Sequence, residues 1–276
     1  MNFLLRRRKL GRTSCAKIAE LSTTGIRAIR NDGAVPAGDV VFRWGCTSNV
    51  AATTIVNKAE SIHLVSDKAS FRKVLNDSKL CPETWFTRLD KGIRYPCIVR
   101  QRYHHQGRHL FVCKNGDDVE TAWRVCGPDG YLSEFIDKVA EYRVFVVQGR
   151  VACVASKQPP ADKRVAWNVA QGGKFDNVKW GDWPLRAVRV ALEGFALSGL
   201  DFGGVDVMVD RDGKAYILEV NSAPSLTSPY RQACMAKCFD WIVQHGKAVI
   251  PLRKVVGGAR KFIHPAIDPN ALIAGE

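Results

Sequence analysis

Apolar and polar residues alternate most regularly over residues 203–221. Val205, Val207 and Val209 interleave with Asp206, Met208 and Asp210. Tyr216, Leu218 and Val220 interleave with Ala215, Ile217, Glu219 and Asn221. A period of two predicts two β-strands. Asp212-Gly213 between them is a two-residue hairpin signal. Counting outward from that turn puts Asp210 opposite Ala215 and Asp206 opposite Glu219, with Asn221 one repeat further along the Glu219 face.

Other stretches carry shorter patterns. Val40, Val41 and Phe42 predict a strand that enters the turn Arg43-Trp44-Gly45. Ser66-Asp67 predicts the cap of a helix running through Phe71, Val74 and Leu75, with Pro82 in the turn beyond it. Residues 95–101 and 109–113 read as a hairpin linked by the polar segment 104–108, and residues 131–136 and 142–147 as two further strands. Leu185, Val188, Leu192 and Phe195 recur at helical spacing. The order of elements predicts a mixed α+β and α/β chain with antiparallel hairpins around its middle.

Composition narrows the class. The chain has 276 residues and an apolar fraction of 46%, enough for a core shared among two or three small lobes. No apolar run reaches the ~18 residues that a membrane span needs. The first five residues are too short for a signal-peptide core, so a cytoplasmic protein without membrane contact is expected. Nine cysteines, an odd number with no CxxC pair, predict reduced thiols. Cys234 and Cys238, one turn apart with His245 beyond, are better read as buried small residues than as a zinc site. Lys and Arg exceed Asp and Glu by 14, which favours an acidic partner such as a nucleotide, nucleic acid or acidic peptide. The run Arg6-Arg7-Arg8-Lys9 is a candidate contact for such a partner, with a solvated face as the plain alternative.

The facing carboxylates carry the chemistry. Like charges directly opposite each other weaken a hairpin, whereas a hard cation between them reverses the sign. Asp206, Glu219 and Asn221 supply oxygen ligands suited to Mg2+. The alternative is a solvent-facing pair that tolerates weak repulsion.

Gly204-Val205-Asp206-Val207, followed by Leu218-Glu219-Val220-Asn221-Ser222-Ala223-Pro224, resembles the metal-binding signature of the ATP-grasp superfamily, and most closely its RimK-like branch. The resemblance covers roughly residues 56–228. It implies an ATP-grasp fold: a small N-terminal α/β lobe at 1–65, a small ATP-grasp lobe at 66–136 and a C-terminal lobe at 137–276, the last two α+β and enclosing the nucleotide. It implies ATP as cofactor, with two Mg2+ ions, or Mn2+ in their place, on Asp206, Glu219 and Asn221.

The same resemblance distributes further roles. Lys68 and Arg100 fall where the family presents phosphate-binding cations, with Arg100 replacing the usual lysine. The 104–108 segment, with Gly107 its one glycine, falls where a loop covers the phosphates. Glu134-Phe135-Ile136 resembles the hinge that reads adenine, and Glu141 the acid that accepts from the ribose hydroxyls. Arg143 falls where the family has a phosphate or acyl-phosphate arginine, Lys157 ends the next strand as another basic candidate, and Asn168 opens a segment that matches the RimK-like Asn-x-x-x-Gly-Gly pattern in spacing; all three are expected to be catalytic. By analogy, substrate residues are expected around Arg43, Trp44 and Asn49 and in the 222–230 loop.

The implied activity is ATP-dependent joining of a carboxylate to an amine through an acyl phosphate, with a peptide, a protein or another acidic molecule, nucleic acid included, as acceptor. A basic nucleic-acid-binding module on the same scaffold and a phosphotransferase are the competing readings. The sequence leaves the oligomeric state open.

Overall fold

The computed structural model describes residues 1–6, 14–30, 37–103, 109–161, 165–167, 172–256 and 259–263, the last two short strands by their backbone alone. Among the described residues, three sheets of four or five strands carry the fold. The first is parallel, built from β1 (Asn2–Arg6), β2 (Arg27–Arg30), β3 (Gly38–Arg43) and β4 (Ala52–Val56) in the order β2-β1-β3-β4. Helix α1 (Ser14–Leu21) connects its first two strands. Two short helices follow, α2 (Ala59–Ser66) and α3 (Lys68–Asp77). Asp67 alone caps α3, accepting from the Ser70 amide at 3.2 Å, because Ser66 is already the last residue of α2.

The second sheet is small and antiparallel: β5 (Thr84–Trp85), β6 (Cys97–Arg100), β7 (Leu110–Cys113) and β8 (Tyr131–Glu134), in the order β5-β8-β6-β7 and covered by α4 (Gly116–Cys126). The strand expected at 131–136 stops at Glu134, and residues 135–137 cross to the third sheet.

That third sheet is the structural centre. It contains β9 (Lys138–Val147), β10 (Arg150–Gln158), β11 (Lys174–Val178), β12 (Phe202–Asp210) and β13 (Ala215–Asn221), antiparallel in the order β11-β10-β9-β12-β13. Strand alternation gives its two faces different chemistry. Val144, Val146, Val205, Val207 and Ile217 face a core shared with α2, α3 and α5 (Leu185–Ser198). Helix α3 therefore packs on the large sheet, and it also reaches the small one, where Asn76 Oδ1 accepts from the Thr84 amide of β5 at 2.9 Å.

On the opposite face one end is apolar. Phe145 and Phe202 join Leu4 and Phe42 of the first sheet, Trp44 just beyond β3, and Phe239 of α6 (Pro229–His245). Phe42 stacks on Phe239 with ring centroids 4.3 Å apart, and Trp44 lies 5.4 Å from Phe202. Trp44, expected among substrate residues, is thus a core side chain, buried with residues of the first sheet, the large sheet and α6. The other end of this face carries Glu141, Arg143, Asp206 and Glu219. A backbone hairpin of β14 (Leu252–Val256) and β15 (Ala259–Ile263) ends the described chain. Among the described residues, no helix is long and apolar enough to cross a membrane.

Candidate active site

The hairpin of β12 and β13 places the acidic pair, by a route the alternation does not show. Near the turn, Val209 pairs with Ala215, Met208 with Tyr216 and Val207 with Ile217. This is one residue out of the register that a two-residue Asp212-Gly213 turn implies. The loop is instead closed between Asp210 and Lys214: the Asp210 amide donates to the Lys214 carbonyl at 3.0 Å, and Asp210 Oδ1 accepts from the amides of Asp212 and Lys214. Gly213 takes the left-handed φ of 78° that such a three-residue loop needs. A β-bulge between Asp206 and Val207 then absorbs Leu218, and Asp206 pairs with Glu219 after all.

Arg143 of β9 pairs with Asp206 from the other side, so Arg143, Asp206 and Glu219 form a row across three strands. Arg143 grips Asp206 with two parallel bonds, Nε to Oδ1 at 2.5 Å and Nη2 to Oδ2 at 2.7 Å. Lys157 of β10 donates to Asp206 Oδ2 at 2.7 Å and also to Glu141 Oε1. Lys138, in the first position of β9, donates to the other Glu141 oxygen. Lys68, at the start of α3, pairs with Glu219 Oε2 at 3.0 Å, and Asn221 Nδ2 donates to Glu219 Oε1 at 2.8 Å.

Four cations thus surround three carboxylates. Glu141, Lys157 and Asp206 are each under 5% exposed, so their pairing is what makes the burial tolerable. Burial drives the Glu219 carboxyl up, but Lys68, Asn221, Arg143 and Lys157 outweigh it and hold the acid well below the usual range. Burial likewise works against Glu141, and Lys157 and Lys138 keep it ionised below its ordinary value. Burial pulls the Lys157 ammonium down, while Asp206 and Glu141 push it up further. For Lys138 burial wins over Glu141, and its ammonium sits below the ordinary lysine value.

The remaining expected residues take distinct positions. Arg100 ends β6 with its Nε buried and without a hydrogen-bond partner, and its charge reaches Lys138. Glu134, Phe135 and Ile136 form the crossing between the small and large sheets, held by the Glu134 amide to Glu83 O at 2.8 Å and the Phe135 amide to Pro96 O at 3.3 Å. Glu141, expected to be open to a ribose, has both oxygens engaged by lysines. Arg43 is buried and donates to the Ser48 carbonyl at 2.9 Å. The turn at Gly45 and the segment after β13 do come together, since a Cβ at Gly45 would lie 2.8 Å from that of Ala223. Gly107 and Asn168 lie outside the described residues.

Sequence reasoning missed three contributors. Lys138 sits at a strand start where a lysine is usually solvated. Phe175 of β11 underlies the cations, with its ring 5.0 Å from the Arg143 guanidinium carbon and 5.5 Å from Lys157 Nζ. Arg102 pins the chain just before residues 104–108 to the cap of α3, donating through Nε to Asp67 Oδ1 at 2.9 Å. A signal existed for one further position: Gly204 must lack a side chain, because a Cβ there would meet Pro224 Cβ at 2.9 Å and Arg143 Cδ at 3.4 Å.

The donors on Asp206, Glu219 and Asn221 are all oxygens of the kind a hard divalent cation takes, so the residues present fit Mg2+. Among the described residues, no cluster of three or more His, Cys, Asp and Glu side chains forms a metal site, Cys234 and Cys238 included.

Residues 58–237 match the model of the RimK-like ATP-grasp domain. The chain belongs to that family. It is an ATP-grasp ligase, as the signature around Asp206 and Glu219 implies. No curated protein matches the sequence significantly. Solved ATP-grasp structures share the fold at low identity. D-alanine–D-alanine ligase from Bacillus anthracis is 13% identical, with a TM-score of 0.61 over 88% of this chain and 96% of that one. The ATP-grasp ligase PsnB, complexed with a minimal precursor, is 11% identical, with a TM-score of 0.61 over 86% and 97%. VanG D-Ala:D-Ser ligase from Enterococcus faecalis is 12% identical, with a TM-score of 0.61 over 86% and 95%.

Proposed function

We propose that this ATP-grasp ligase joins a carboxylate to an amine through an acyl phosphate, adding an amino acid to a peptide, a protein or another acidic acceptor. The observation that carries the reading is the acidic pair Asp206–Glu219, set in register and ringed by Lys68, Arg143 and Lys157 beside the crossing between two sheets. ATP would lie between those sheets, with adenine at residues 134–136 and the phosphates toward Lys68, Arg100 and Arg143. The three sheets are read as three lobes divided near residues 65 and 136. D-alanine–D-alanine ligase has been solved with ATP, and PsnB with Mg and ADP, which supports the same cofactors in this chain.

In the proposed reaction, a carboxylate oxygen attacks the γ-phosphorus, the bond to the bridging oxygen breaks, and ADP leaves. The amine then attacks the acyl carbon, inorganic phosphate departs, and the nitrogen loses its proton. Lys68, Arg100 and Arg143 orient the phosphates and stabilise the charge that builds on them, and Lys157 holds Asp206 and Glu141 in place. Mg2+ on Asp206, Glu219 and Asn221, as two ions or with Mn2+ in their place, supplies further neutralisation of phosphate charge when bound. Closure over the bound phosphates would exclude water that otherwise hydrolyses the acyl phosphate. Nine free cysteines support a reducing, cytoplasmic setting.

A mass-spectrometric screen tests this. Protein, MgATP, amino acids and peptides are incubated, and ADP and condensed products are measured. A product lighter than its two substrates by one water supports ligation. A phosphorylated substrate alone would make the protein a phosphotransferase, and no ADP with any substrate would reduce it to a binding module.

A further inference from the structure

We propose that Arg72 is a positioning residue for the acidic pair: it holds the bulge at Leu218 that brings Glu219 opposite Asp206. The inference rests on reading those two acids as the metal-holding pair. The register set at the turn, Val207 to Ile217, would continue by placing Leu218 opposite Asp206 and Glu219 opposite Val205. A one-residue slip turns a side chain to the other face of a sheet, here into the apolar core beside Val205 and Val207. The acidic pair therefore exists only while Leu218 stays bulged.

A bulge leaves main-chain groups without ladder partners, and β13 is an edge strand, so its outer side needs donors and acceptors from elsewhere. Arg72 provides them at the bulge. Its Nη1 donates to the Ile217 carbonyl at 3.1 Å and its Nη2 to the Leu218 carbonyl at 2.6 Å. The Ile217 amide donates to the Leu80 carbonyl at 2.7 Å, closing the same edge. Arg72 is 3% exposed, and its guanidinium spends its buried charge on two successive carbonyls. A planar fork fits two adjacent acceptors in a way one ammonium does not. Arg72 also lies four residues after Lys68, so one face of α3 grips β13 twice, Lys68 on the Glu219 carboxylate and Arg72 on the backbone beside it.

The test uses the full chain with Mn2+ as probe, titrated in saturating ADP by electron paramagnetic resonance, alongside ADP affinity without divalent cation and the melting temperature. The variants are R72M, R72K and E219Q. Residues that orient metal ligands typically cost about 10–100-fold in metal affinity when lost, so R72M is expected to weaken Mn2+ by about tenfold or more. Its ADP affinity without metal stays at the parent value, and R72K recovers part of the Mn2+ affinity. A folded R72M that melts lower but binds Mn2+ like the parent overturns the inference, because Arg72 is then only an edge cover. If R72M does not fold, R72K decides, and parental Mn2+ affinity in R72K overturns the inference. Should E219Q also leave Mn2+ binding unchanged, the metal reading itself falls and the role of Arg72 falls with it. A loss in E219Q without one in R72M removes the role of Arg72 alone.

Discussion

Asp206 and Glu219 stand directly opposite each other on neighbouring strands, yet each makes its direct ion pairs with different cations: Asp206 with Arg143 and Lys157, Glu219 with Lys68. Lys157 is the pivot, because among the described residues it alone bridges Asp206 to Glu141. Lys157→Met leaves two buried carboxylates short of a partner, and breaking a buried pair in this way costs about 3–5 kcal/mol. Urea unfolding should show that loss, and ADP formation should disappear. Added Mg2+ should restore part of the stability of the variant, since a cation near Asp206 replaces the missing charge. A loss below about 1 kcal/mol, the scale of an exposed pair, would mean the cluster is solvated.

Nucleotide binding between the sheets should stabilise the fold. A ligand bound only to the native state at 100 times its Kd adds about 2.7 kcal/mol, which for a chain of this size raises Tm by about 5–10 °C. MgATP is therefore expected to shift the melting curve, and Arg143→Ala to abolish most of the shift. An unchanged Tm in saturating MgATP would overturn the placement of the nucleotide.

Asp240 provides a pH prediction away from the site. From α6 it accepts four bonds from residues 22–24: Ser22 Oγ at 2.6 Å, Thr24 Oγ1 at 2.7 Å, and the Thr23 amide and Oγ1 at 2.9 Å each. Burial pushes this carboxyl up, but the four donors outweigh it and set it below its ordinary value of 3.8. A lowered folded value means the stabilisation is complete above about pH 4 and is lost as pH falls through the folded value. Asp240→Asn should cost about 2–3 kcal/mol at pH 7, the scale of bonds to a charged group. The gap between the variant and the parent should narrow below about pH 4. Parallel curves down to pH 2 would show that the Asp240 carboxyl titrates alike in the folded and unfolded chain, so that the four bonds do not lower it.

The ATP-grasp family was legible because its signature lies on period-2 strands, whose alternation marks one apolar and one charged face. The register was legible only in its outcome. A two-residue turn predicts Asp206 opposite Glu219, while the molecule reaches the same pair through a longer loop and a compensating bulge. Neither leaves a trace in hydrophobic pattern, since Leu218 looks like any strand leucine. Lys138 and Arg72 were hidden for a related reason. A lysine at a strand start and an arginine in a helix are ordinarily solvated, and only the approach of α3 and the crossing strand buries them. Trp44 differs in the other direction, as a turn residue that the packing of the first sheet against the large sheet and α6 claims for the core.

The excess charge remains to be placed. Net charge is +14, and the described cluster uses its cations largely against its own carboxylates, so it does not account for the surplus. Arg6 ends β1 and opens the run Arg6-Arg7-Arg8-Lys9, whose last three residues lie outside the described chain. The run precedes the residues that match the family model, so a polyanionic acceptor could use it without competing with the nucleotide. If that acceptor is nucleic acid, counterion release makes affinity fall linearly on a logarithmic salt scale, by about 0.7–0.9 per phosphate contact. Replacing all four residues by alanine should then flatten the slope by up to about 3 units, while MgATP affinity stays at the parent value. A salt series against DNA, RNA and an acidic peptide measures this. An unchanged slope would return the run to a solvated face and move the acceptor's contacts to other cations, and no salt-dependent binding to any of the three would leave the charge as a solubilising surface.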